Sequence, residues 1–217
     1  PWVGVSCQAN GSYLWFPSKE HPSDEPEGAD IHITVTKPLS VASNGVLQKV
    51  TDLKNKWHTW HWKTNNNINP YNINFTDGNF ETVERIKPSL EKPLNTQFFV
   101  LGENREGADK LLDHAEIYID FFTRSFGQYP WLKEKLGIVN TPYLGMEHQT
   151  IIAYGNDYKY NDKGYDFLLF HELAHEWWGN YLSVSDWADF WIHEGFAIYS
   201  EALFIEEKYG LNEYNNF

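Results

Sequence analysis

Apolar and polar residues alternate from Ala29 to Thr36: Ile31, Ile33 and Val35 fall on one side, His32 and Thr34 on the other, the period of a half-buried strand. Residues 57–62 resemble that run, with tryptophans and histidines in place of aliphatics. Turn signals at Asn10-Gly11, Asn44-Gly45, Asn69-Pro70 and Asp77-Gly78 punctuate these runs at intervals expected of antiparallel sheet. One more strand pair is predicted over 80–85 and 97–101. The period then lengthens. Leu111, Leu112, Ala115, Ile119 and Phe122 mark one face of a helix over 108–126, stopped by Gly127 and Tyr129-Pro130. A mixed strand stretch over 137–154 follows, and helices are predicted over 165–179 and 191–209. The expected class is α+β, with a β-rich part over residues 1–78 and a mixed part over 79–217.

Composition narrows the function classes. The 217 residues are 41 % hydrophobic and 17 % aromatic, with ten tryptophans, so the chain can bury a sizeable core without crosslinks. Thirty acidic against seventeen basic residues leave a formal charge of -13, which repels phosphate backbones and argues against a nucleic-acid partner. The single cysteine, Cys7, excludes an internal disulfide and a thiolate zinc cluster, leaving histidine and carboxylate as metal ligands. No run approaches the roughly 18 apolar residues of a membrane span.

The chemistry concentrates in His171-Glu172-Leu173-Ala174-His175, set between Phe167-Leu168-Leu169-Phe170 and Trp177-Trp178. On a helix, positions i and i+4 share a face, so both imidazoles can aim at one zinc ion. Glu172 lies about 100° around the axis, placed as a base rather than a ligand. Catalytic zinc takes about three protein ligands. Glu194, nineteen positions after His175, begins the next predicted helix and completes a His-His-Glu set that suits amide hydrolysis at neutral pH. Leaving two imidazoles and a carboxylate without a metal in so apolar a helix would be costly.

This constellation, with Gly145-Met146-Glu147 upstream, resembles the M1 family of zinc aminopeptidases. Cys7-Gln8-Ala9, Phe16-Pro17, Asp24-Glu25-Pro26, Ser43-Asn44-Gly45, the run from Phe126 to Pro130 and Trp178-Gly179-Asn180 follow an order similar to that family's. The resemblance implies a saddle-like β-domain, of which 1–78 is the later portion, and the first part of a thermolysin-like catalytic domain over 79–217. It implies one Zn2+ held by His171, His175 and Glu194, with Glu172 as general base. It places Gly145, Met146 and Glu147 in the exopeptidase motif, Glu147 holding the free α-ammonium of a peptide substrate, and Gln8 as a second contact to that amine. Leu144 and His148 depart from the glycine and asparagine that flank the motif, and His193 replaces the asparagine common before the third ligand. The family's transition-state tyrosine lies beyond Phe217. The chain therefore reads as a fragment of a zinc aminopeptidase that works with the remainder of the same polypeptide and turns over weakly or not at all alone.

Two other functions stay open at this level: a zinc endopeptidase without amine selectivity, against which Glu147 argues, and a noncatalytic binding protein retaining the fold. His58 and His61, among tryptophans, read as alternating faces of a sheet rather than a metal or carbohydrate surface. His114 reads as solvated. Asp189 and Glu201 stand at distances from Glu194 that would let either orient a zinc-bound imidazole. Asn10 and Asn74 head glycosylation sequons. No Gly-x-Ser-x-Gly run or Cys-His pairing supports a nucleophile.

Overall fold

The computed structural model describes residues 2–88 and 92–217. Six strands precede Asn79: β1 (Val3–Gly4), β2 (Ala29–Thr36), β3 (Ser40–Ser43), β4 (Val46–Asp52), β5 (Trp57–Thr64) and β6 (Phe75–Gly78). They form two three-stranded sheets ordered β1-β6-β3 and β2-β5-β4, every pair antiparallel. Alternation fixes the register of the second sheet. Ile31 and Val35 of β2 are buried beside Trp62 of β5, while Asp30, His32 and Thr34 face outward.

Strand pairing changes hands at Asn79. β7 (Phe80–Lys87), β8 (Leu94–Leu101), β9 (Leu136–Asn140), β10 (Gly145–Met146) and β11 (Ile152–Tyr154) build one sheet ordered β10-β11-β9-β8-β7. The pairs β8–β9 and β9–β11 are parallel and the outer two antiparallel. Parallel central strands are buried on both faces, as the wholly buried run Leu136–Asn140 reflects. The crossover from β8 to β9 carries α1 (Arg105–Phe126), whose face of Leu111, Leu112, Ala115, Ile119 and Phe122 packs into the main core. Gly127, at φ +97°, ends it.

Beyond the sheet come α2 (Phe167–Ala174), α3 (Trp191–Tyr209) and the short α4 (Leu211–Asn215). The expected helix over 165–179 is shorter in the structure. After Ala174 the amides of Glu176 and Trp177 bond back three residues, to Leu173 and Ala174, and Gly179 at φ +133° turns the chain away. The tightened turn buries Trp177 against Phe122, with stacked rings at 5.0 Å. Leu169, Phe170 and Leu173 are fully buried, each contributing roughly 1.5–3 kcal/mol to anchoring α2.

The β-rich part and the mixed part share a core. Val41, Ala42 and Trp62 meet Phe99, Val139 and Ile151 in one cluster. Lys135 crosses the junction, donating from a buried Nζ to the carbonyls of Ser43 (2.8 Å) and Gly45 (2.6 Å). Asn44 crosses in the other direction, donating to the carbonyl of Gln149 at 2.6 Å.

Candidate active site

The candidate metal ligands His171 and His175 lie in the second half of α2 and at its C-cap. Asp166 caps the helix, its Oδ1 accepting from the amide of Leu169 at 2.9 Å while Oδ2 accepts from Tyr154 and Asn156. That cap and the buried face below it fix how α2 presents His171 and His175. From the neighbouring helix α3 comes Glu194, in its first turn.

His171 Nε2 lies 3.2 Å from His175 Nε2 and 3.2 Å from Glu194 Oε2, and His175 Nε2 lies 3.6 Å from the same oxygen. Ligands at about 2.0–2.1 Å in a tetrahedron stand roughly 3.3 Å apart. The donor set therefore fits zinc in both chemistry and spacing. The imidazole planes are nearly perpendicular, at 88°. His175 Nδ1 donates to the carbonyl of Trp178 at 2.9 Å, which turns Nε2 towards the shared point. Hydrogen bonds from the two histidines hold the Glu194 carboxyl well below the usual carboxylate range. Burial opposes charge on His175, but its contact with Glu194 and the charges of Glu147 and Glu172 outweigh burial and raise it to about 9. The pocket is thus built for positive charge at the shared point.

Two further carboxylates converge there. Glu172, Glu147 and His175 have ligating atoms within 4.8 Å of one another. Burial, reinforced by the charge of Glu147, pushes the Glu172 carboxyl up to about 8. Gly145 and Met146 form the edge strand β10, and a Cβ on Gly145 would stand 2.5 Å from Glu172 Oε1 and 2.7 Å from Leu168 Cδ1. Only glycine lets the strand approach the helix so closely. Glu147 is buried, with Tyr71 donating to its Oε1 at 3.1 Å and Asn180 donating to its backbone carbonyl at 2.9 Å. Met146 is buried with Tyr71 and Ala153, and Cys7 packs against that cluster. Gln8 itself is exposed. Leu144 is exposed too.

Several expectations change. Asp189 is exposed; Glu201 accepts from Tyr165 at 2.6 Å and lies close enough to His171 to interact with it electrostatically, while the carbonyl of Trp178 accepts from His175. His193 is buried and accepts from the amide of Val184 at 3.1 Å, and burial pushes it down to about 4, so it stays neutral and pins the turn after α2 to the start of α3. His114 is not a solvated side chain: its Nδ1 lies 3.2 Å from the Tyr118 hydroxyl and its ring 4.8 Å from that of Tyr160. Asn74 is buried, its amide bonded to Asn44 Oδ1, which closes that sequon in the folded state. Tyr71 escaped sequence reasoning because its partner, Glu147, is 76 positions away.

The Peptidase family M1 domain model matches residues 111–216. Leucine aminopeptidase 2 of Vanderwaltozyma polyspora is 28% identical, over 97% of this chain and 31% of that protein. Human glutamyl aminopeptidase is 27% identical, over 87% of this chain and 20% of that protein. The chain is similar to M1 peptidases, the family model covering just under half of it. Its fold matches that of the M1 zinc metallopeptidase from Deinococcus radiodurans, with a TM-score of 0.77 at 22% identity over 95% of this chain and 47% of that one. A two-domain M1 zinc metallopeptidase variant bound to L-tryptophan superposes with a TM-score of 0.79 at 20% identity, over 95% and 46%. The chain thus spans about a third or less of these M1 relatives and just under half of the M1 structures.

Proposed function

We propose that this chain carries the zinc-binding, proton-transfer and amine-recognition groups of an aminopeptidase, with His171, His175 and Glu194 as ligands to one Zn2+. Residues 1–78 would supply the later portion of the β-domain and 79–217 the first portion of the catalytic domain. The observation that carries this reading is the 3.2–3.6 Å triangle of ligand atoms with Glu172 and Glu147 beside it.

Zinc in this set would polarise a peptide carbonyl and bring the pKa of water to about 7. Glu172 would take the proton from the attacking water and return it to the departing amine, a step worth about 10² to 10⁴ in rate. Its carboxyl is poised for both, because burial favours the protonated form whereas positive charge at the ligand set favours the ionised form. Standing one residue after His171, about 100° around the helix axis, it stays within reach of the shared point without joining the ligands.

Glu147 would bind the α-ammonium of the substrate. That cation sits a fixed distance from the first peptide bond, so a carboxylate fixed beside the ligand set measures off one residue. One charge-assisted hydrogen bond contributes about 1.5–3 kcal/mol. Tyr71 holds Glu147 in place through its Oε1, and β10 beside it offers a free strand edge against which an extended peptide can lie. Gln8, exposed next to Cys7, would reach the amine from the β-rich part.

The test is a panel of amino-acid anilides, free and N-acetylated, hydrolysed by the full-length protein with and without a chelator. Activity on free amines alone, abolished by the chelator and restored by Zn2+, is the expected result. Equal rates on acetylated substrates would replace this reading with an endopeptidase.

A further inference from the structure

The outer face of the β2-β5-β4 sheet carries a second group of potential ligands, remote in sequence from the first. His32 stands directly opposite His61 across the β2–β5 pair, and Asp30 lies two residues before His32 on the same face. The two imidazoles stack at 4.0 Å with planes 15° apart, and His61 Nε2 lies 2.6 Å from Asp30 Oδ1. One ligating atom from each of the three residues lies within 4.8 Å of the others. The backbone beneath is fixed by continuous pairing from Ala29↔Thr64 to Thr36↔Trp57, and on the outer face Thr34 and Thr59 bond hydroxyl to hydroxyl at 2.8 Å.

We propose that Asp30, His32 and His61 form an accessory site for a transition-metal dication that prefers imidazole, such as Cu2+ or Ni2+. Two imidazole nitrogens with one carboxylate oxygen, and water on the open side, suit the tetragonal N,O coordination of these ions, and Cu2+ stands highest in the affinity series for such donors. The ion takes the place of the proton now held between His61 and Asp30. Small side-chain rotations suffice, because both histidines project from neighbouring strands at one level of the sheet. Two cations moderate the affinity: Lys63 Nζ lies 3.3 Å from Asp30 Oδ2, and Lys49 of β4 stands opposite His61. The accessory site therefore binds more weakly than the His171, His175 and Glu194 set, which has a buried histidine and no lysine among its ion pairs.

The experiment titrates the protein with Cu2+ and reads stoichiometry by calorimetry and nitrogen hyperfine structure by electron paramagnetic resonance. The wild-type chain is expected to hold two ions, the double variant His32→Ala/His61→Ala one, and His171→Ala/His175→Ala also one, with a two-nitrogen signal surviving in the last. Lys63→Gln should tighten the weaker site several-fold. Because His32 and His61 lie on a solvent-facing sheet surface, their removal leaves the fold intact by circular dichroism. An unchanged titration in His32→Ala/His61→Ala overturns the proposal, as does the absence of any ion in excess of one in the wild type. Failure of the other site would appear only as unchanged binding in His171→Ala/His175→Ala, so the two readings are separable.

Discussion

At the scale of single residues the site turns on groups that lie close together and do different things. His171, His175 and Glu194 face one point at 3.2–3.6 Å, whereas Glu172 is offset by its position on the helix and remains free for proton transfer. Glu172→Gln in the complete protein should keep its zinc by metal analysis and lose turnover by at least about 10²-fold; full activity would remove the residue from that role. Tyr71 acts through Glu147. Tyr71→Phe deletes the hydroxyl bonded to Glu147, the carboxylate proposed to bind the amine, so KM for free-amine anilides should rise several-fold with zinc content and kcat nearly unchanged. A fall in kcat with no change in KM would instead place Tyr71 in the chemical step. The motif residues were legible because helix geometry links positions four apart. Tyr71 was not, since nothing local to it signals a partner 76 residues away.

At the scale of elements, the placement of α2 matters most. Its first turn is held by Asp166, wholly buried and engaged by the amide of Leu169 and the side chains of Tyr154 and Asn156. Asp166→Ala removes the cap and strands two buried donors, which should cost about 2–4 kcal/mol in chemical denaturation. Asp166→Asn, which can still accept from Leu169, should cost less; equal losses from both would show that charge rather than capping holds the helix. The far end of α2 behaves otherwise. Periodicity carried the predicted helix through Trp177 and Trp178, but the packing of Trp177 on Phe122 and the left-handed Gly179 end it at Ala174. That early stop brings the carbonyl of Trp178 back onto His175 Nδ1. The helix Trp191–Tyr209 matches its sequence reading in full, and Gly210 at φ +91° closes it.

At the scale of the whole molecule, the two parts are joined by buried polar contacts as well as by a shared core. Lys135 is the clearest. Its ammonium is buried, bonded to two carbonyls and 4.8 Å above the Trp62 ring, and burial pushes its pKa down from 10.5 to about 7. Between those pH values the unfolded chain binds a proton that the folded chain has released, so stability rises with pH across that window and falls as pH drops towards 7. Lys135→Met should abolish this component, leaving a difference from wild type that changes by a few kcal/mol between pH 7 and 10 in denaturation experiments; a constant difference would contradict the assignment. The sequence by itself determined the α+β class and most strand and helix positions, and it singled out the candidate ligand pair and base, because each depends on periodicity or on spacing within one element. Only the tertiary structure decided what meets across elements: Tyr71 on Glu147, Trp178 on His175, His32 over His61, and His193 on the amide of Val184. The physical reason is that hydrogen bonding and burial depend on distance in space, and a single chain's residue order encodes that distance only within a turn of helix or along a strand.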